Sequence, residues 1–183
     1  MKQVSFILLM AVTFCACSTT KILKTEQADN VDFTKYKTYN FYELTASGDT
    51  ISANYPKNVV LLEKAIAAQL QQRGYTQSSS NPDLLINIGI VVQEKIQTRQ
   101  TDFRTDAPKY IGQRNYSWKS EEIETGRYRE GTVTLHVVDA AQHKLIWKSG
   151  ISDIIPEKES KTETVINEGI RKLFLKYPVS PKP

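Results

Sequence analysis

The sequence is poor in the residues that most often carry chemistry. Among its 183 residues are two cysteines and two histidines, and both cysteines, Cys15 and Cys17, fall within the first 17 positions. The body of the chain therefore has no disulfide framework and no thiol nucleophile. His136 and His143 stand either side of an expected hairpin turn. With no further cysteine and no HExxH pattern, they make no zinc motif. No G-x-S-x-G elbow exists to pair with either histidine, and Asp139 reads as a turn aspartate bonding its own backbone. The glycines are few and scattered: Gly89 stands alone in a strand, while Gly112 and Gly126 lie in a loop, so no phosphate cradle is expected. Glu121, Glu122 and Glu124 would serve as glycosidase acids only if burial raised one of them. Their polar surroundings read as a solvated loop. No run of five like charges occurs, and a net charge of +4 gives no nucleic-acid footprint. The expectation is a protein without catalytic residues, cofactor, metal or nucleic-acid partner.

What is present begins with an address. Lys2 and an apolar run from Val4 to Phe14 precede the two cysteines. The run is short of the about 20 apolar residues that span a bilayer and fits the h-region of a secretory signal over residues 1–16. The segment Phe14-Cys15-Ala16-Cys17 resembles a bacterial lipobox, with Phe14 where leucine is commonest. The resemblance implies cleavage before Cys17, diacylglycerol on its sulfur and an acylated amine. Cys15 leaves with the leader, and the leader takes one Lys and no acid, so the mature charge is +3. A triacylated cysteine gives stable anchoring where one chain does not. In lipoproteins, acids beside the lipidated cysteine redirect the protein. Their absence here favours the periplasmic face of the outer membrane, with the cell surface as the alternative. Residues 17–30 are polar and aperiodic and read as a flexible tether.

The remaining residues suit one domain over 31–178 with a tail at 179–183. "YKTYNFYE" (36–43) alternates as a strand, placing Tyr39 and Phe41 on one face with Lys37 and Glu43. Pro56 opens a helix carrying Val59, Leu62, Ile66 and Leu70, which Gly74 closes as a left-handed cap beside Arg73. Leu84, Ile86, Ile88, Ile90 and Val92 form one face of a second strand. "GTVTLHVVDA" and "HKLIWKSGISD" make a hairpin around Ala140–Gln142, with Trp147 in phase with Leu145 and directed into the core. Ser160-Lys161-Thr162-Glu163 fits a capping box. Behind it runs the stripe Ile166, Ile170, Leu173, Phe174 and Tyr177, with Gly169 permitting close packing and Pro178 as the stop. The order strand-helix-strand-strand-strand-helix predicts an α+β two-layer sandwich: a mixed, mainly antiparallel sheet with two helices on one face.

"VDFTKYKTYNF", "LQQRGYTQ", "NPDLLINI", "GTVTLHVVDA", "KLIWKSG" and "LFLKYP", in this order and after a lipobox, resemble bacterial lipoproteins carrying domain of unknown function 4136. The resemblance runs from Val31 to Pro178 and implies an envelope lipoprotein with an α/β domain. It brings no activity and no catalytic residues.

Residues 98–127 fall outside that pattern and are long for a connection within one domain. They hold Phe103, Tyr110, Tyr116 and Trp118 among Arg99, Arg104, Arg114 and Lys119. Aromatics with arginine favour binding surfaces. Phe103, Arg104, Tyr110, Tyr116 and Trp118 are therefore the candidate partner-binding set, and Cys17 the lipidation site. An inert extended hairpin or loop is the competing reading. The expected function is a non-catalytic, lipid-anchored envelope protein that touches the membrane through Cys17 and binds an envelope protein or cell-wall component. The alternatives are a hydrolase of cell-wall or lipid material and a carrier holding a small apolar ligand between sheet and helices.

Overall fold

A computed structural model describes residues 20–48, 55–106 and 119–182. The apolar alternations are strands, and most run longer than the sequence pattern. The elements are β1 (Lys21–Ile22), β2 (Glu26–Gln27), β3 (Thr38–Gly48), α1 (Tyr55–Gln72), β4 (Thr76–Gln77), β5 (Leu84–Gln100), α2 (Phe103–Asp106), β6 (Glu122–Asp139), β7 (Lys144–Ile154) and α3 (Thr162–Phe174). One sheet runs β1-β7-β6-β5-β3-β4, with β2 also on β7. β3 lies parallel to both β4 and β5, and α1 makes the crossover between β3 and β5; every other pairing is antiparallel. This is the α+β sandwich expected, with mixed pairing and the main helices packed into a single core.

That core forms where the alternation and the helix stripes meet. Leu84, Ile86 and Ile88 of β5, Leu135 and Val137 of β6, and Leu62, Ile66 and Leu70 of α1 are buried with Ile170, Leu173 and Phe174 of α3. At one end Trp147, Phe174 and Tyr177 stack closely, the Trp147 and Tyr177 rings 5.1 Å apart and near perpendicular. Gly74 has φ +88°, the left-handed cap that ends α1. Arg73 is buried beside it. Its guanidinium donates to the carbonyls of Gln69, Val179 and Phe174 and lies 5.0 Å over the Phe174 ring. Gly169 admits Ile151, whose Cδ1 would stand 2.8 Å from a Cβ at that position.

Two bulges move side chains from their expected faces. One falls between Phe41 and Glu43, so Tyr39, Phe41 and Leu44 oppose the buried residues of β5 while Glu43 opposes Asn87 on the other face. A bulge adds one residue to one strand, and a period-two pattern changes face there. The second bulge lies between Val137 and Val138. It buries both Ile146 and Trp147 and turns Leu145 out, 42% exposed, so Trp147 is in the core but out of phase with Leu145.

Residues 21–28 and 179–182 are more ordered than their composition suggests. In the segment expected to be a flexible tether, β1 and β2 add to the edge of β7, reinforced by Leu23 N–H to Gly150 O and Ala28 N–H to Ile146 O. The expected loose tail is also tied down, through Val179 O to Arg73 and Lys182 N–H to Gln72 O. The capping box at 160–163 is absent. A 3-10 turn, Glu159–Lys161, leads straight into α3, whose N-cap residue Lys161 makes no side-chain capping bond.

Candidate functional site

The lengths of the elements create a site. β5 and β6 contain 17 and 18 residues, while α1 contains 18 and α3 only 13. At about 3.3 Å per residue the strands reach roughly 56–60 Å, whereas α1 at 1.5 Å per residue covers about 27 Å. The helices therefore cover only part of the strands. Among the described residues the pairing of β3 ends at Val92 and that of β7 at Glu130, and 93–100 with 122–129 continue as a two-stranded ribbon.

Near the base of the ribbon, at the N-terminal ends of α1 and α3, lies a cavity of about 210 Å³. Its walls are mainly aliphatic: Ile90 and Val92 from β5, Val133 from β6, Ile151 from β7, and Val59 and Ile166 from the helices. Gly131 also lines it, with Ile155 packed so close that a Cβ there would stand 3.2 Å from its side chain. Three features add polarity. Tyr55, the first residue of α1, has its hydroxyl buried without a hydrogen-bond partner, and burial pushes its phenol pKa up. Arg129 opposes Glu94 across the ladder, but Glu94 is taken by Arg127 at 3.1 Å, and the Arg129 guanidinium has no hydrogen-bond or ion-pair partner among the described residues. Asp153 is occupied: Thr20 donates to its Oδ2 at 2.6 Å and the Ile154 N–H to its Oδ1. Of the other lining acids, Glu159 is paired with Lys57 and Glu157 is exposed.

The segment expected to be a long insertion at 98–127 is strand at both of its ends, and its residues 107–118 lie outside the described residues. Residues 98–100 end β5 and 122–127 begin β6, so the competing reading of an extended hairpin describes these residues. Phe103 and Arg104 sit at its far end in α2, a single turn with Phe103 half exposed. That turn is held by Asp102 accepting from the Arg104 N–H and by a two-pronged Arg99–Asp106 ion pair, whose Nη1–Oδ2 distance is 2.7 Å. The Arg99 hydrogen bond holds the Asp106 carboxyl well below the usual carboxylate range. Tyr110, Tyr116 and Trp118 lie outside the described residues, as does Cys17. Glu121, Glu122 and Glu124 are exposed on the ribbon; Glu122 accepts from Thr98 and Glu124 pairs with Arg127.

His136 faces away from the helices and opposes Asn87 and Lys148. Its Nε2 and the Asn87 Oδ1 are both buried without hydrogen-bond partners, and burial, then Lys148, lowers the imidazole pKa. Asp139 does what a turn aspartate does, accepting from the Gln142 N–H, and it also accepts from the Tyr36 hydroxyl at 2.7 Å. Among the described residues no three His, Cys, Asp or Glu side chains gather as a metal site, and no helix is long and apolar enough to cross a membrane.

Sequence comparison settles the kinship, because the pattern of one family, described as a domain of unknown function (DUF4136), matches residues 23–179. The chain belongs to that family. Solved structures similar to this family member include a DUF4136 family protein from Bacteroides thetaiotaomicron, 13% identical over 87% of this chain and 96% of that one, TM-score 0.46. A PelC dodecamer from Paraburkholderia phytofirmans is 10% identical, over 85% of this chain and 94% of that one, TM-score 0.47. A PDZ domain protein from Parabacteroides distasonis is 17% identical over 90% of this chain, TM-score 0.47, and the chain spans only 38% of it. No curated protein matches the sequence.

The carrier alternative expected an apolar cavity between sheet and helices, but its position at the base of the ribbon and the part of Arg129 in it escaped sequence reading. Arg129 stands in "RYREGT", where nothing in the spacing separates it from its charged neighbours. The cavity follows from the mismatch between helix and strand lengths, and no local motif encodes it.

Proposed function

We propose that this DUF4136 protein is a non-catalytic module of the cell envelope, anchored by lipid on Cys17 at the periplasmic face of the outer membrane. In this reading it engages another envelope protein through the β5–β6 ribbon and its tip. The observation that carries the reading is the ribbon itself. Among the described residues, 93–100 and 122–129 pair with each other and with no further strand, apart from the Ile155 N–H that donates to Arg129 O. An isolated two-stranded hairpin is marginal in water, and two open strand edges are templates for strand addition. Together these support a role in contact with a partner. The aromatic and arginine content of the tip supports the same use.

Replacing Phe103 to Ser120 by a short Gly/Ser turn tests this. Loop-closure entropy changes slowly with length, so the domain should stay folded while partners recovered by crosslinking in the envelope disappear. An unchanged partner set, or collapse of thermal stability, would refute the assignment to the ribbon tip. The anchor is checked separately. Cys17→Ala should abolish lipid labelling and release the protein from membranes, and Cys15→Ala should change neither.

A further inference from the structure

We infer that the cavity beneath the ribbon is a binding site for a single-chain alkyl carboxylate, with the chain between sheet and helices and the carboxylate at Arg129 and Tyr55. This goes beyond the partner-binding reading and does not depend on it.

The body of the ligand follows from the walls. Ile90, Val92, Val133, Ile151, Val59 and Ile166 offer no hydrogen bonds, so they favour hydrocarbon. The volume of about 210 Å³ is below the roughly 300–1,000 Å³ of pockets that take drug-sized molecules. A slender single chain suits it; a ring system or a diacyl lipid does not.

The head follows from the polar groups. Buried polar atoms ordinarily have partners, yet among the described residues the buried Tyr55 hydroxyl has none, and the half-buried Arg129 guanidinium is unpaired as well. One hydroxyl donor and one planar cation match the two oxygens of a carboxylate. Tyr55 opens α1 and Thr162 opens α3, so the positive ends of two helix dipoles face the same cavity. The first turn of α1 holds no acid, while that of α3 holds Glu163. Glu159 is ion-paired with Lys57; Asp153, which accepts from Thr20 and the Ile154 N–H, and exposed Glu157 keep their charge, so the Arg129 guanidinium is the positive group that must hold the carboxylate.

The test titrates the purified protein, in detergent-free buffer, with dodecanoate, dodecanol and dodecyltrimethylammonium, and then with alkyl carboxylates of increasing length. Dodecanoate should bind at least tenfold more tightly than dodecanol, and the ammonium compound least. Affinity should rise roughly fourfold per added methylene until the cavity is full. Arg129→Met should lower dodecanoate affinity about tenfold and leave dodecanol unchanged. Tyr55→Phe should have a smaller effect of the same kind. Ile166→Trp should block every ligand by filling the cavity. If its thermal unfolding shows it misfolded, Val165→Trp at the cavity wall serves instead. Absence of dodecanoate binding overturns the site, and equal affinity for dodecanol and dodecanoate, or no effect of Arg129→Met, overturns the assignment of the head. Crosslinked partners that vanish with the ribbon tip while dodecanoate binding persists would leave this site standing apart from the partner-binding reading.

Discussion

Replacing Trp147 by Ala probes whether the aromatic end of the core is structural. Trp147 is fully buried, 6.3 Å from the Phe174 ring and 5.1 Å from that of Tyr177, and its Nε1 donates to Lys176 O at 3.3 Å. An aromatic side chain of this kind buries about 150–250 Å², which at about 25 cal/mol per Å² corresponds to roughly 4–6 kcal/mol before the retained Cβ and any collapse are deducted. The expected loss is therefore about 3–5 kcal/mol, in the range found for aromatic-to-alanine changes in cores. For a domain of this size that lowers Tm by roughly 6–20 °C. Urea titration followed by far-ultraviolet circular dichroism measures it. Trp147→Phe keeps one aromatic ring but removes part of the buried indole along with its bond to Lys176 O, so it should cost less than Trp147→Ala, about 1–3 kcal/mol. A loss under about 1 kcal/mol for Trp147→Ala would refute the burial argument and return the indole to the surface as a stacking group.

Two further outcomes follow from the core and its margins. Burial lowers the His136 pKa in the folded protein below its ordinary 6.5. The unfolded chain therefore takes up the proton first as pH falls, and this contribution is complete above about pH 6.5 and lost below it as the folded pKa is approached. His136→Asn should flatten the decline in urea stability between about pH 6.5 and 5 relative to the unsubstituted protein, and parallel curves would contradict this. Gly74→Ala should cost about 1–2 kcal/mol for a Cβ at φ +88°. The atoms nearest that Cβ belong to the flexible end of Lys182, so the same cost in a Lys182→Ala background would assign it to the backbone, and a cost that disappeared there would assign it to the side-chain clash.

Much of this fold is legible in the sequence where one residue type repeats against one environment. The Leu84–Val92 alternation and the Leu62–Leu70 stripe each meet a continuous apolar layer, so their period survives folding. Glu43 and Leu145 were misplaced because a bulge is settled by the partner strand: Tyr42 and Ile146 carry nothing local that marks the extra residue. The pairing of 21–27 was illegible for a similar reason. Those residues are polar and exposed, and what orders them is the open edge of β7. The partner-binding candidates were placed by composition alone, and the structure locates Phe103 and Arg104 at one end of the ribbon.

The attachment of residues 20–27 along β7 also has a mechanical consequence. Tension applied at the N-terminal end of the described chain would first act on Thr20–Asp153, then on the two-residue pairings of β1 and β2, and only afterwards on Phe33, which is buried in the core. Eleven residues, 20–30, could peel away before the core is strained, releasing about 36 Å of chain at roughly 3.3 Å per residue. The same peeling would bare the backbone of β7 from Trp147 to Ser152. The segment thus behaves as a compliant spring in series with a stiff domain, and its extension controls whether that strand edge is covered.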